Sequence, residues 1–141
     1  MLPKNFRKLR LEIMTSLYQY DFYQEELSNQ NFNEVKNILI LEHIIENICL
    51  IDKIINKNLY GYGINRLNKV DKAIIRLATL ELLEKQNSHQ IIINEAIELS
   101  KEYSTLSDGK QYKFNNKLLH LIYEDIQKNK YKTNELCKSS F

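Results

Sequence analysis

The sequence predicts an all-α fold, and three observations carry that expectation. Apolar residues recur at three- and four-residue spacing in segment after segment, the period of a helix with a buried face. No segment of useful length alternates apolar and polar residues as a half-buried strand does. Helix breakers are scarce: the 141 residues include one proline, Pro3, and three glycines. This length predicts one domain with a sizeable core, residues 1–128, followed by a poorly ordered polar tail, 129–141.

The first helix is expected from about Asn5 to Tyr23. Phe6, Leu9, Ile13, Leu17 and Tyr20 line one face, and Arg7, Leu11, Met14 and Tyr18 follow a second. Residues from Glu25 to Asn33 are polar and read as a loop. Helix then resumes to about Lys57 through Val35, Ile38, Leu41, Ile44, Ile48, Ile51 and Ile55, with a break expected near Leu41 to His43. Gly61 and Gly63 are expected to end this segment, since glycine tolerates the left-handed conformation that stops helices. Asn68 is placed to cap the next helix, with Asp71 in its positive first turn. That helix carries Val70, Ile74, Leu77 and Ala78 as a stripe to about Lys85, and Glu81 lands on the same stripe. After a turn at Asn87–Gln90 a fifth helix runs through Ile93, Ala96 and Ile97 to Tyr103. Asp108 and Gln111 form a candidate capping box for the last helix, whose stripe of Phe114, Leu118, Leu121 and Ile122 fades after Ile126.

Composition narrows the function classes. Hydrophobic residues at 43% and charged ones at 27% suit a soluble globular domain. The net charge of +2 imposes no nucleic-acid partner, but its distribution is uneven. Lys4, Arg7, Lys8 and Arg10 all precede the first acidic residue, Glu12, and concentrate positive field at one end. Cys49 and Cys137 lack paired spacing, which predicts a reduced, cytoplasmic protein. The most apolar window, Ile38 to Ile55, is interrupted by Glu42, Glu46, Asp52 and Lys53 and does not suit a membrane span.

Catalytic readings lack their residue sets. His43, His89 and His120 are scattered without HxxxH or CxxC spacing, so no metal site is expected. Gly61 and Gly63 lack the context that cradles phosphate, and no cofactor is implied. Glu95 and Glu98 sit one turn apart without a nucleophile or an orienting group. No catalytic residue is assigned, and the chain is not expected to be an enzyme.

Two constellations admit a binding role. Arg7 and Arg10 share a helical face, and arginine forks suit phosphate and stack on unpaired bases. The same run also reads as a solvated helix end, although cations there oppose the helix dipole and an anion would relieve the penalty. Tyr18 and Glu81 read either as core-edge residues with wet tips or as a partner-facing pair.

Several motifs, taken in order, resemble the NusB family of transcription antitermination factors over roughly residues 5–126. Arg7-Lys8-Leu9-Arg10 is followed by Leu17-Tyr18-Gln19, then Val70-Asp71 and Ile74-Ile75-Arg76-Leu77-Ala78. Ile93-Asn94-Glu95-Ala96-Ile97-Glu98-Leu99 comes next, then Lys113-Phe114 and Asn116. The resemblance implies a two-part helical bundle of about six to seven helices. It also implies binding of boxA-type single-stranded RNA together with NusE, a small-subunit ribosomal protein. The setting would be the transcription elongation complex on ribosomal RNA operons.

Together, these readings make Lys4, Arg7, Lys8, Arg10, Lys113, Asn116, Lys117 and His120 the candidate RNA-binding residues. The resemblance makes Tyr18 and Glu81 the candidate NusE contacts. Departures from the family pattern cluster in the last helix. Asn115 stands in place of the usual valine, Lys117 in place of glycine, and His120 where aspartate is common. The added lysine favours phosphate, yet its side chain stands where glycine permits close backbone approach. Two rivals remain at this point: a helical protein-interaction scaffold or homodimer, and an RNA-recognition module like that of RNA cytosine methyltransferases. No nucleotide-binding strand pattern supports the methyltransferase itself.

Overall fold

The computed structural model describes residues 7–26, 38–61, 63–85, 87–104 and 109–131. Lys4, Asp108, Cys137 and the tail from residue 132 onward lie outside the described residues. Six α-helices account for most of what is described: α1 (Arg7–Glu26), α2 (Ile38–Glu46), α3 (Ile48–Lys57), α4 (Lys69–Glu84), α5 (His89–Tyr103) and α6 (Lys110–Asn129). A short 3-10 turn spans Ile64–Arg66, and the described residues contain no strand. The all-α expectation holds.

Helix α4 is the axis of the fold, packing against α1, α3, α5 and α6. Its start follows from Asn68, whose side chain accepts from the amides of Val70 and Asp71. Its end is Lys85, in the left-handed conformation at φ 59°. Every residue from Asp71 to Leu82 is buried, so the helix has no solvent face over that stretch. The apolar stripe meets Ile13, Leu17, Ile51, Ile54, Ile93, Leu119 and Ile122 in one continuous core. Each such large aliphatic side chain contributes about 1.5–3 kcal/mol on burial.

The polar residues of α4 are buried against charges on other helices. Asp21 of α1 accepts from Lys69 at 2.9 Å, from Lys72 at 2.8 Å and from Arg76 at 3.2 Å. Arg76 also forks onto Asp52 of α3, with Nε to Oδ1 at 2.9 Å and Nη2 to Oδ2 at 2.7 Å. Burial alone would raise the Asp21 carboxyl. Hydrogen bonds from Lys72 and Lys69, with the charges of Lys72 and Arg76, outweigh it and hold Asp21 below the usual range.

Two boundaries differ from expectation, and a third falls where expected but for another reason. The break in the second helical segment falls at Asn47, not near Leu41 to His43. The Asn47 side chain donates to the His43 carbonyl at 2.9 Å, the acceptor a continuing α-helix would use. Its backbone N–H turns instead to Ile44 O at 3.1 Å, and the helix restarts at Ile48. Helix α3 then ends at Lys57, before the glycines: its cap is Asn58, and Gly63 is extended. Of these two glycines, Gly61 alone takes positive φ, 90°, where it turns the chain after the helix. At the other end of the chain, α6 continues three residues beyond Ile126. The Tyr131 hydroxyl donates to Asp125 at 3.0 Å and accepts from Lys57 at 3.0 Å. The first residues of the expected polar tail are thereby anchored to α3 and α6.

Candidate nucleic-acid interface

Helices α5 and α6 run side by side and leave a cleft of about 380 Å³ between them. The α5 wall carries Gln90, Asn94 and Lys101, with Ile93 and Ile97 as its apolar part. The α6 wall carries Tyr112, Lys113, Asn116 and His120. Lys101 Nζ lies 4.9 Å from the centre of the Tyr112 ring, a cation–π contact that holds both at the mouth. Among the described lining residues there is no carboxylate. Amides, an aromatic ring, two ammonium groups and an imidazole above apolar side chains suit a flat heterocycle with an attached phosphate.

Behind this cleft, a buried polar network joins the helices that form it. Asn115, fully buried, donates to Asp71 Oδ1 at 2.8 Å and to Ser100 Oγ at 3.0 Å. Ser100 and Ser104 of the α5 end donate to the two oxygens of Asp71 at 3.1 and 3.0 Å. Gln111 donates to Asn115 Oδ1 at 2.9 Å. Asn115, in place of an apolar side chain, thus links α4, α5 and α6. Gly109 precedes α6 without a side-chain cap, so the part of the expected capping box that can be seen, Gln111, serves Asn115 instead.

The N-terminal basic cluster divides. Arg7 is exposed and forks onto Glu95 of α5, with distances of 3.1 and 2.9 Å. Hydrogen bonding and charge from Glu95 raise the Arg7 guanidinium, and the same bond holds Glu95 below the usual carboxylate range. Glu95 follows Asn94, so Arg7 is held against the α5 turn that helps wall the cleft. Lys8 is exposed. Arg10 departs from the expectation: it is 1% exposed and directs Nη2 to Glu81 Oε1 at 2.8 Å, with Nε 3.2 Å from Oε2. The carboxylates that relieve the dipole penalty at this helix end therefore come from the protein itself.

That pairing also corrects the reading of Glu81 as a partner-facing carboxylate. Glu81 is 4% exposed, on the buried stripe where the sequence put it, and its oxygens are engaged by Arg10. Burial pushes its carboxyl up, while the Arg10 guanidinium pulls it back. Tyr18, by contrast, is 40% exposed on α1.

Lys113, Asn116 and His120 do share one face, as their three- and four-residue spacing requires. Lys117, one turn from Lys113, does not line the same cleft. It lies about 100° around the helix from Asn116 and lines a different groove with Tyr60 and Phe114. Sequence reasoning missed the whole α5 wall. Residues 90, 93, 94, 97 and 101 have the spacing of one helix face, and that signal was there to be read.

The NusB family model matches residues 7–124. The chain belongs to the NusB family. Its relatives include the transcription antitermination protein NusB of Staphylococcus haemolyticus, 30% identical over 127 residues that cover 82% of this chain and 97% of that protein. The corresponding Treponema denticola protein is 47% identical over 79 residues, 55% of this chain and 56% of its own length. A match to the Thermodesulfovibrio yellowstonii protein likewise spans 64% of that relative. Among solved structures, Thermotoga maritima NusB superposes with a TM-score of 0.72 at 32% identity, covering 88% of this chain and 92% of that one. A chain from the crystal structure of a plectonemic RNA supercoil superposes with a TM-score of 0.70 at 25% identity, covering 87% and 96%. Within this NusB-family chain, no described helix is long and apolar enough to cross a membrane. The described residues hold no cluster of potential metal ligands.

Proposed function

We propose that this NusB-family chain is a transcription antitermination factor that binds boxA-type single-stranded RNA together with NusE, on ribosomal RNA operons. The α5–α6 cleft carries the reading: Lys113, Asn116 and His120 face Asn94 and Lys101 across apolar side chains, with Arg7 held alongside. Lysines attract the phosphates, the amides read base edges, and the apolar floor receives the base face. Lys8 adds charge at the exposed start of α1. Tyr18 is the candidate contact for NusE, and the buried Arg10–Glu81 pair fixes α1, which carries Tyr18, on α4. Activity consists of holding RNA and protein together in the elongation complex, with no bond made or broken.

Titration of labelled boxA RNA, with and without NusE, tests this reading. RNA binding that tightens when NusE is added supports it. Binding of NusE with no RNA affinity in either setting would leave only a protein-interaction scaffold.

A further inference from the structure

We propose that Asn115 is a positioning residue for RNA binding, which sets the separation of the two cleft walls from behind without touching the strand; this rests on the RNA-binding reading above. Asn115 and Ser100 are both buried, and their side chains meet at 3.0 Å. Each is the sequence neighbour of a residue that lines the cleft: Asn116 on α6 and Lys101 on α5. Their bond therefore ties the two walls together at the root. Both side chains also hold Asp71 Oδ1, Asn115 at 2.8 Å and Ser100 at 3.1 Å. One oxygen of the central helix α4 is thus the fixed corner of a closed triangle that spans α4, α5 and α6.

The direction of every bond in the triangle is determined. A carboxylate only accepts, so the Ser100 hydroxyl donates to Asp71 and its oxygen accepts from the Asn115 amide. Asn115 Oδ1 is thereby turned away from the carboxylate, and Gln111 donates to it at 2.9 Å. Rotating the amide, or sliding α6 along α5, would leave buried polar groups unpaired, and that penalty holds the spacing. A valine at position 115 would fill the site but impose no direction, since dispersion contacts are individually weak and not directional. Lys113, Asn116 and His120 line the cleft from α6 alone, so a turn of this helix moves all three together against Asn94 and Lys101. Asn115 is thereby given a role in RNA binding that its complete burial would otherwise conceal.

Anisotropy titrations of a labelled boxA-type single-stranded RNA, at several salt concentrations and at a temperature where urea curves show each variant folded, provide the test. Asn115→Val and Ser100→Ala should each weaken binding roughly threefold to tenfold. Their salt slopes should match wild type, because no phosphate contact is removed. The double variant should lose little more than either single one, since both break the same triangle. Ser104→Ala also takes a hydroxyl from Asp71, from the other oxygen at 3.0 Å, and should lower stability while leaving RNA affinity unchanged. Lys113→Ala serves as the comparison for a direct contact, with weaker binding and a flatter salt slope. If Lys113→Ala weakens binding while Asn115→Val and Ser100→Ala match wild type, the positioning role is overturned and the cleft stands. If Ser104→Ala weakens binding as much as Ser100→Ala, the effect is a general loosening around Asp71 and the proposal is wrong. If wild type binds no RNA, both readings fail together.

Discussion

Replacing Glu81 with alanine would remove the carboxylate that accepts from both Nε and Nη2 of Arg10, and leave that guanidinium 1% exposed and permanently charged. Removing one partner of a buried ion pair costs about 3–5 kcal/mol, whereas an exposed carboxylate contributes about 0–1 kcal/mol. The unfolding entropy of a 141-residue chain, at about 2.1 cal/mol/K per residue, converts each kcal/mol into roughly 3–4 °C. Glu81→Ala should therefore lower the thermal midpoint by about 10–17 °C, measured by circular dichroism. Arg10→Ala should cost less, because burial already pushes the Glu81 carboxyl up and a lone carboxyl can take a proton. Arg10→Met with Glu81→Leu should recover most of the loss, since apolar replacement of a whole buried pair is often neutral. A Glu81→Ala midpoint within about 2 °C of wild type would refute the assignment of this carboxylate to the folded framework.

Other outcomes follow from the same geometry. Asp21, Glu95 and Asp125 titrate below the usual carboxylate range, so the stability they contribute is present above about pH 4 and lost as pH falls through their lowered values. Urea midpoints should drop below about pH 4, and Asp21→Asn should lower the midpoint at pH 7 and shrink that drop; equal midpoints at pH 3 and pH 7 would contradict it. Asn115→Val should cost about 1–3 kcal/mol in urea unfolding, because Asp71 loses a buried donor; an unchanged midpoint would make the Asp71 network dispensable. Arg7→Ala with Lys8→Ala should weaken boxA affinity and flatten its salt dependence, and identical anisotropy curves would return both side chains to the solvent. His120→Asp places a carboxylate among the cleft's ammonium groups and should weaken the same binding; no change would put His120 outside the RNA path.

Legibility in the sequence followed the range of the interaction. Helices were visible because their stripes are local, and the Asn68 cap was visible because its two acceptor contacts lie within three residues. The break at Asn47 was not, because it depends on a side-chain amide outcompeting a backbone N–H for the same carbonyl. Lys72 and Arg76 look like an exposed helix face until Asp21 and Asp52 arrive from α1 and α3, and Glu81 on the apolar stripe names no partner until Arg10 arrives from α1. A pair such as Arg10 and Glu81, 71 residues apart, leaves no mark on its neighbours. Family motifs led to the α6 half of the cleft, while the α5 motif that contains Ile93, Asn94 and Ile97 marked the family without assigning those residues a contact. Lys117 was included because it replaces the glycine of the family's Val-Asn-Gly element and adds a charge that favours phosphate, yet it lines a different groove from Asn116.

The separation between α1 and α4 has a consequence during synthesis. At about 5–20 residues per second, the 71 residues between Arg10 and Glu81 take roughly 4–14 s to emerge. Through that interval Arg10 and Asp21 have no α4 to bury them, and the apolar face of Ile13 and Leu17 has no α4 core to join. The ribosome-bound chain therefore passes through a stage in which its first helix is available to bind other molecules, with charges that the finished protein conceals. Codon changes that slow translation between the two helices would lengthen this stage without altering a single contact in the folded state. Chaperone capture, which tracks exposed apolar surface, should increase with that delay.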